Sequence, residues 1–193
     1  MWWREPRIGW RRAGLLARLA IALAAASLTA GCFEPLYGSR PSPGADSVHD
    51  KLASIALAPM NPPKGTPTER VAVQLHNALQ FDLTGGGASS ASTATYRLEV
   101  SAAPSEITVV IDPVSGRPDA QIGRVTAHYV LTEIASGKAV VRDSTIAEVD
   151  YDVPGPQQRF ARQRAQRDAE DRAVQLVAET IRNRLASYFV AGT

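Results

Sequence analysis

The chain has 193 residues, 45% of them hydrophobic, with 21 basic residues, 19 acidic residues, three histidines and one cysteine. A single cysteine excludes an intramolecular disulfide framework and any cysteine-rich metal site, and the near balance of charge carries no global signature of a nucleic-acid partner. The length suits one domain rather than several.

Arg4, Arg7, Arg11, Arg12 and Arg18 precede an apolar run from Leu19 to Leu28, and Thr29-Ala30-Gly31-Cys32 follows it. A bilayer span takes about 20 apolar residues, and this run is shorter. A basic start, a short apolar centre and small residues describe an export signal. Because it ends on the only cysteine, it reads as a lipoprotein signal cleaved before Cys32, whose thiol takes the lipid. The third residue before the cysteine is Thr29, with Leu28 one step earlier. The Arg11-Arg12 pair is compatible with a twin-arginine signal, but a basic leader needs arginines anyway. Setting aside residues 1–31, with their five arginines and Glu5, leaves 16 basic and 18 acidic residues, a formal net charge of −2. The expected division is 1–31 as signal peptide, 32–51 as lipidated N-terminus and flexible tether, and 52–193 as a single αβ domain.

The tether is punctuated by Pro35, Gly38, Pro41, Pro43 and Gly44, and no apolar period survives in it. Ser54 to Ala58 is a short apolar run ended by Pro59 and predicts a buried strand. Thr66-Pro67-Thr68-Glu69 is a capping box with proline at the first helical position, a specific helix start. Val71, Leu75, Ala78 and Leu79 form its apolar stripe, and the helix is expected to end near Asp82. Gly85-Gly86-Gly87 and the serines after it read as a connection. They open no helix and lack the Lys-Ser/Thr of a phosphate loop.

Tyr96, Leu98 and Val100 alternate with polar residues and predict a half-buried strand that continues to Ile111, with Pro104 marking an edge or a bulge. After a loop from Asp112 to Asp119, a strand from about Ile122 to Ile134 places Val125, Ala127, Tyr129 and Leu131 on one face. Ala135-Ser136-Gly137-Lys138 is a hairpin signal. The last strand, about Ala139 to Val153, sets Ala147, Val149 and Tyr151 against Ser144, Glu148 and Asp150. A long helix follows from about Gln158 to Phe189. Its second half carries Val174, Val177, Ile181, Leu185 and Tyr188. Its first half offers Ala161, Ala165, Ala169 and Ala173 among arginines, which either allow close approach or favour helix.

The order β-α-β-β-β-α predicts an α+β two-layer sandwich: a four-stranded mixed sheet with two helices on one face. The other sheet face is expected to be polar, with Arg97, Glu99, Thr126, His128, Thr132, Ser144, Glu148 and Asp150. It would meet either bulk water or another polar wall.

Catalytic and metal signatures are missing from the sequence. His49, His76 and His128 lack a second ligand at metal spacing, and no Gly-x-Ser-x-Gly, Walker or HExxH sequence occurs. Asp150 and Asp152 share a strand face and read as a solvated pair. The arginines of the last helix interleave with Asp168, Glu170, Asp171 and Glu179, which favours an ion-paired, solvated helix. The reading is of a non-enzyme without a metal or other cofactor.

Gly31-Cys32-Phe33-Glu34-Pro35-Leu36-Tyr37-Gly38 resembles the GCGF-PLYG start of the LptE family of lipopolysaccharide-assembly lipoproteins in its alphaproteobacterial form. The second glycine of that pattern is missing here, since Phe33 follows Cys32 directly. The element order with its long last helix, and Ala173-Val174-Gln175-Leu176 with Ile181-Arg182-Asn183-Arg184-Leu185, are similar to the same family. The resemblance implies a lipid-anchored protein of the periplasmic leaflet of the outer membrane. It would plug and help assemble the LptD β-barrel and assist lipopolysaccharide delivery to the cell surface. It gives the polar sheet face a rationale, because large barrels have polar lumens. Candidate lipopolysaccharide contacts are Arg117 and Arg124 at one end of a strand pair and Lys138 and Arg142 near the other, since guanidinium groups suit phosphate. The alternatives are an accessory lipoprotein of an ABC-type lipid transporter and an anchored hydrolase. The latter would need His128 joined to a serine and an acid in one pocket.

Overall fold

The computed structural model describes residues 47–85, 94–155 and 157–191. The expected signal peptide, Cys32, the tether up to residue 46 and the connection from residue 86 to 93 lie outside the described residues.

The first element corrects the expected tether boundary. Residues 48–51 belong to a helix, α1 (Val48–Ala53), started by a capping box. The Asp50 amide donates to Ser47 Oγ (3.1 Å), and the Ser47 amide donates to the Asp50 carboxylate (3.2 Å). These two bonds satisfy otherwise orphaned groups, and Leu52 is buried in the core. A six-residue helix is too short to show an apolar period, so only its cap was legible.

Strand β1 (Ile55–Leu57) leads into α2 (Pro67–Thr84). The Thr66 hydroxyl caps the Glu69 amide as expected, but the Glu69 carboxylate accepts from the Gly65 amide rather than from Thr66. The helix runs two residues past Asp82. Gly85, at φ +66°, then ends it, its amide donating to the Phe81 carbonyl at 2.7 Å. That left-handed conformation is one glycine adopts without steric cost.

The remaining elements are β2 (Tyr96–Ile111), β3 (Pro118–Glu133), β4 (Ala139–Asp152) and α3 (Arg159–Ala191). The sheet order is β1-β2-β3-β4, with β1 parallel to β2 and the other pairs antiparallel. The fold is therefore the expected four-stranded mixed sheet with its long helices, extended by α1. β1 covers β2 only at residues 96–98, so Pro104 lies on an edge and leaves no ladder bond unmade. The strand irregularity falls later, around Val109.

Alternation explains the core. Leu98, Val125, Ala127, Tyr129, Leu131, Ala147, Val149 and Tyr151 point toward the helices and are buried. Val71, Leu75, Leu79 and Leu83 of α2 meet them, as do Val174, Val177, Ile181 and Leu185 of α3. Each such aliphatic side chain contributes about 1.5–3 kcal/mol. Ala169 and Ala173 are fully buried, so the alanines in this part of α3 serve close approach. A Cβ built on Gly123 would stand 3.3 Å from the Ala169 Cβ, which shows how near α3 lies to β3.

Candidate functional site

Strand register arranges the outer sheet face in rows. Reading β2-β3-β4, they are Glu99–Val130–Arg142, Ser101–His128–Ser144, Ala103–Thr126–Ile146, Ser105–Arg124–Glu148 and Ile107–Ile122–Asp150. No helix or strand covers this face among the described residues. It is mixed rather than uniformly polar, because Val130, Ile146, Ile122 and Ile107 share it. Alternation assigned the polar residues to this face, and the same alternation brings these aliphatics with them. Ile146 is 58% exposed.

The two ends of the sheet differ. α3 runs antiparallel to β4, since Arg184 bonds Asp143 (3.1 Å) while Arg162 acts electrostatically on Tyr151. The start of α3 therefore lies at the end that carries the β2–β3 turn. The C-terminal part of α3 lies at the other end, where Phe189 packs edge-to-face on Tyr96 (5.2 Å). α1 is also there, for the Ser54 carbonyl accepts from the Thr95 amide.

At the first end, Arg159, Arg162, Arg164 and Arg167 occupy the opening turns of α3, which have no acidic residue in the first turn. None of the four makes an ion pair among the described residues. This departs from the expected ion-paired helix: the acids begin at Asp168, and the pairs that form involve Arg172, Arg184 and Arg70 instead. Positive charge in the first turn of a helix, here Arg159 and Arg162, opposes the helix dipole by about 0.3–1 kcal/mol each.

Arg117, Lys138 and Arg142 fall at the ends the sequence indicated, Arg124 lies in mid-strand, and the four differ in their freedom. Arg117 closes the β2–β3 turn at this end, its carbonyl accepting from the Asp112 amide (2.8 Å). Arg124 lies on the outer face and donates to the Glu148 carboxylate (2.7 Å), so its charge is already matched. Lys138 and Arg142 are exposed at the opposite end, beside the β3–β4 turn. Arg117 and Arg124 are seven residues apart along β3, roughly 23 Å at strand rise, so one phosphate does not bridge them.

His128 is exposed between Ser101 and Ser144 in its row, with no acid in that row, and it lines neither the groove beside Gln74 and Arg182 nor the one beside Pro59 and His76. The serine–histidine–acid pocket that a hydrolase needs is not assembled there. Asp150 and Asp152 are exposed, as a solvated pair should be. No helix of the described residues is long and apolar enough to cross a membrane.

Sequence reasoning missed one polar centre. Glu170, read as part of a solvated face, is only 3% exposed. It pairs with Arg70 of α2, which also reaches Asp171 (2.9 Å), and it accepts from the Gln166 side-chain Nε2 (3.1 Å). The signal was its register: Glu170 sits between Ala169 and Ala173 on the buried side of α3. A second network joins Tyr129, Asp143 and Arg184. The Ser144 amide and the Arg184 guanidinium hold the Asp143 carboxyl below its usual range, and burial pushes the Tyr129 phenol up.

A model of the lipopolysaccharide-assembly family LptE matches residues 52–185. Among solved structures, a protein of Caulobacter crescentus CB15 assigned as a lipoprotein is similar at 23% identity and a TM-score of 0.56, covering 76% of this chain and 97% of its own. Rare lipoprotein B from Shewanella oneidensis is similar at 14% identity and a TM-score of 0.51, covering 71% of this chain and 96% of its own. These two likenesses show a shared fold. No curated protein matches in sequence. With its whole sheet, α2 and α3 as far as Leu185 inside the matched span, the chain belongs to the LptE family of lipopolysaccharide-assembly lipoproteins, which are envelope-biogenesis proteins and not enzymes.

Proposed function

We propose that the protein plugs an LptD-like outer-membrane β-barrel, holds it in its assembled state and assists delivery of lipopolysaccharide to the cell surface. In this reading Cys32 carries the lipid, and the domain sits at the periplasmic leaflet of the outer membrane. The observation that carries it is the uncovered outer sheet face. Five rows of hydroxyl, charged and small aliphatic side chains present a surface that can hydrogen-bond a polar barrel lumen. A domain enclosed by a barrel needs such a wall, whereas a freely solvated face has no use for Ile107, Ile122, Val130 and Ile146 together.

Lipopolysaccharide contacts are assigned first to Arg117 and the arginines that open α3. Lys138 and Arg142 are secondary candidates at the far end, and Arg124 is the weakest because Glu148 already holds it. Guanidinium groups free of carboxylate partners are suited to bidentate phosphate contact.

The test is photo-crosslinking in intact cells with the probe at Thr126 or Ser144. Capture of one large outer-membrane barrel from both positions is expected. Capture of an inner-membrane transporter component, or no adduct from either position, would overturn the assignment. For the lipid contacts, joint charge reversal at Arg117 and Arg164 should weaken binding of purified lipopolysaccharide several-fold. Unchanged binding removes both residues.

A further inference from the structure

The two parts of α3 are held differently. From Ala169 onward the inward side chains are buried, among them Val174, Val177, Ile181 and Leu185. From Arg159 to Asp168 none is: Arg162, Ala165 and Gln166 are half-buried and the rest are exposed. Polar contacts divide at the same place. Glu170 and Asp171 hold Arg70, and Arg184 holds Asp143. Among the described residues no hydrogen bond or ion pair joins residues 159–168 to the sheet. Gln166 bonds within the helix, to Glu170, and Arg162 acts on Tyr151 through its field alone.

Register identifies what lies beneath this segment. Ala169 stands against Gly123, whose partner on β4 is Val149. A helix rises about 1.5 Å per residue and a strand about 3.3 Å, and α3 runs antiparallel to β4. Two strand residues toward the β2–β3 turn therefore match about four helix residues. That puts Ala165 over Tyr151 and the first turn of α3 near Val153. Tyr151, Val153 and Gln121 are 7%, 8% and 7% exposed. The Tyr151 hydroxyl donates to Gln121 Oε1 (3.0 Å), and Gln121 Nε2 donates to Thr108 Oγ1 (3.3 Å). Both bonds stay within the sheet, so lifting the helix breaks neither.

The segment is also a poor helix by itself. Arg159 and Arg162, and Arg164 and Arg167, are like charges three residues apart, and the first turn has no acid. Isolated helices shorter than about 12 residues are marginal in water, and helix formation is cooperative, so a stretch without anchors of its own melts as a block. This block has defined ends. On its N-terminal side the sheet has already finished, at the bond from the Val153 amide to the Asp119 carbonyl (2.8 Å). On its C-terminal side stands the buried Glu170, paired with Arg70 of α2.

We propose that residues 159–168 are a latch. They undock from the sheet together, while Glu170, pinned by Arg70, keeps the rest of α3 in place. Each opening uncovers Gln121, Tyr151 and Val153, a mixed polar and apolar surface that the closed molecule hides. This goes beyond the barrel assignment and does not depend on it.

The experiment combines amide exchange with thiol labelling in the full chain. In urea-dependent hydrogen exchange, the amides of residues 163–168 should share one opening with a shallow urea dependence, and those of residues 174–185 should follow the steep dependence of global unfolding. The step should fall at Ala169–Glu170. A graded rise in protection from residue 163 onward would be ordinary fraying and overturns the proposal, as does protection of residues 163–168 equal to that of residues 174–185. Glu170→Gln, which keeps the shape but drops the charge that Arg70 holds, should let the amides up to Ala173 join the fast group. A step unmoved from Ala169 overturns the pin. For the sheet, Val153→Cys and Val177→Cys are made separately on a Cys32→Ser background and labelled with an aromatic disulfide reagent. The thiol at 153 should react through the shallow opening and the thiol at 177 only through global unfolding. Adding Arg159→Glu and Ala161→Glu places acids in the first turn of α3. These two changes should slow exchange at 163–168 and labelling at 153 by the same several-fold factor. Labelling at 153 that stays unchanged while the amides slow would show that the helix opens without uncovering the sheet. That result, or no slowing of either, overturns the proposal. None of these outcomes bears on crosslinking from Thr126 and Ser144.

Discussion

The ion pair between Arg70 and Glu170 should respond unequally to removal of its two partners. The Glu170 side chain is 4% exposed, and among the described residues its partners are Arg70 and the Gln166 side-chain carboxamide. Arg70 is 31% exposed and holds Asp171 as well (2.9 Å). Arg70→Ala leaves a carboxylate in a nearly dry site, a loss of about 3–5 kcal/mol. Glu170→Ala leaves a guanidinium that still reaches both water and Asp171. Its cost is closer to one charged hydrogen bond, about 1.5–3 kcal/mol. At a urea slope of about 2 kcal/mol per molar, the midpoint should fall by about 2 M for the first variant and about 1 M for the second. The sharper test is the double variant Arg70→Ala with Glu170→Gln. It removes more of the pair yet should be about 1–2 kcal/mol more stable than Arg70→Ala alone, because a neutral amide replaces an orphaned charge. Urea unfolding followed by far-ultraviolet circular dichroism reads all three. Equal losses from the two single variants, or a double variant no more stable than Arg70→Ala, would refute the claim that Glu170 is a desolvated charge held by Arg70.

Gly123→Val should cost about 1–3 kcal/mol by overpacking against Ala169, 3.3 Å from the new Cβ, and Ala169→Gly should recover part of that loss in thermal melts. Asp143 titrates below the usual 3.8, held down by the Ser144 amide and then by Arg184, so its stabilisation is present at neutral pH and lost as pH falls through the lowered value. Asp143→Asn should therefore be less stable than the native chain at pH 7, and the two should converge in strong acid. Asp82 has the opposite sign: burial raises it, so its charged form works against the fold. Asp82→Asn should be more stable at pH 7, with the gain fading as pH falls through the raised value toward the unfolded one. In hydrogen exchange, the amides of Val125–Leu131 and Val174–Leu185 should be protected longer than those of the opening turns of α3. Equal protection would show that the two ends of the sheet are held alike.

Legibility followed the length over which a pattern could repeat. Sixteen-residue β3 alternates cleanly, so its faces were readable residue by residue, and Val125, Ala127, Tyr129 and Leu131 are all buried. The Thr66 cap was readable because Thr-Pro-x-Glu is a local code. α1 was missed because one turn cannot display a period, even though Ser47-x-x-Asp50 wrote its cap in the same code. The inward turn of Glu170 was missed because its cause is long-range: Arg70 lies a hundred residues earlier and arrives only when α2 packs on α3. The role of the alanines stayed open for the same kind of reason. Only the position of Gly123 on the facing strand decides that Ala169 serves close approach. For the candidate site, the sequence placed Arg117 at one end of the sheet and Lys138 and Arg142 near the other, but put Arg124 beside Arg117 when it lies in mid-strand. It did not reveal that Glu148 already holds Arg124, nor that the valines of the β2–β3 turn stand clear of the domain. A short strand end looks the same in sequence whether or not a helix covers it.

The bulky aliphatic side chains are not spread evenly along the molecule, and their distribution bears on function. α2 lies beside the part of α3 from Glu170 to Arg182, as the Arg70–Glu170 pair and the field of Arg182 on Asp82 show. Among the described residues the opening turns of α3 have no helix beside them, and the first side chain there to be fully buried is Ala169. On the core face of β2 the coverage thins in step: Leu98 is buried, Ala102 and Pro104 are half-buried, and Glu106 and Thr108 are exposed. One half of the sheet is thus packed on Val, Leu and Ile of both helices at about 1.5–3 kcal/mol each, whereas in the other α3 contributes alanines against Val149, Tyr151 and Val153, so α3 is held less firmly there. The less firmly held half carries the unpaired arginines and the exposed turn. Were those features incidental surface, the same sequence could have exchanged the half-buried Ala165 for leucine and the opening arginines for glutamates, gaining core area and a favourable helix dipole together. That it carries neither argues that this end is shaped for contact with something outside the chain.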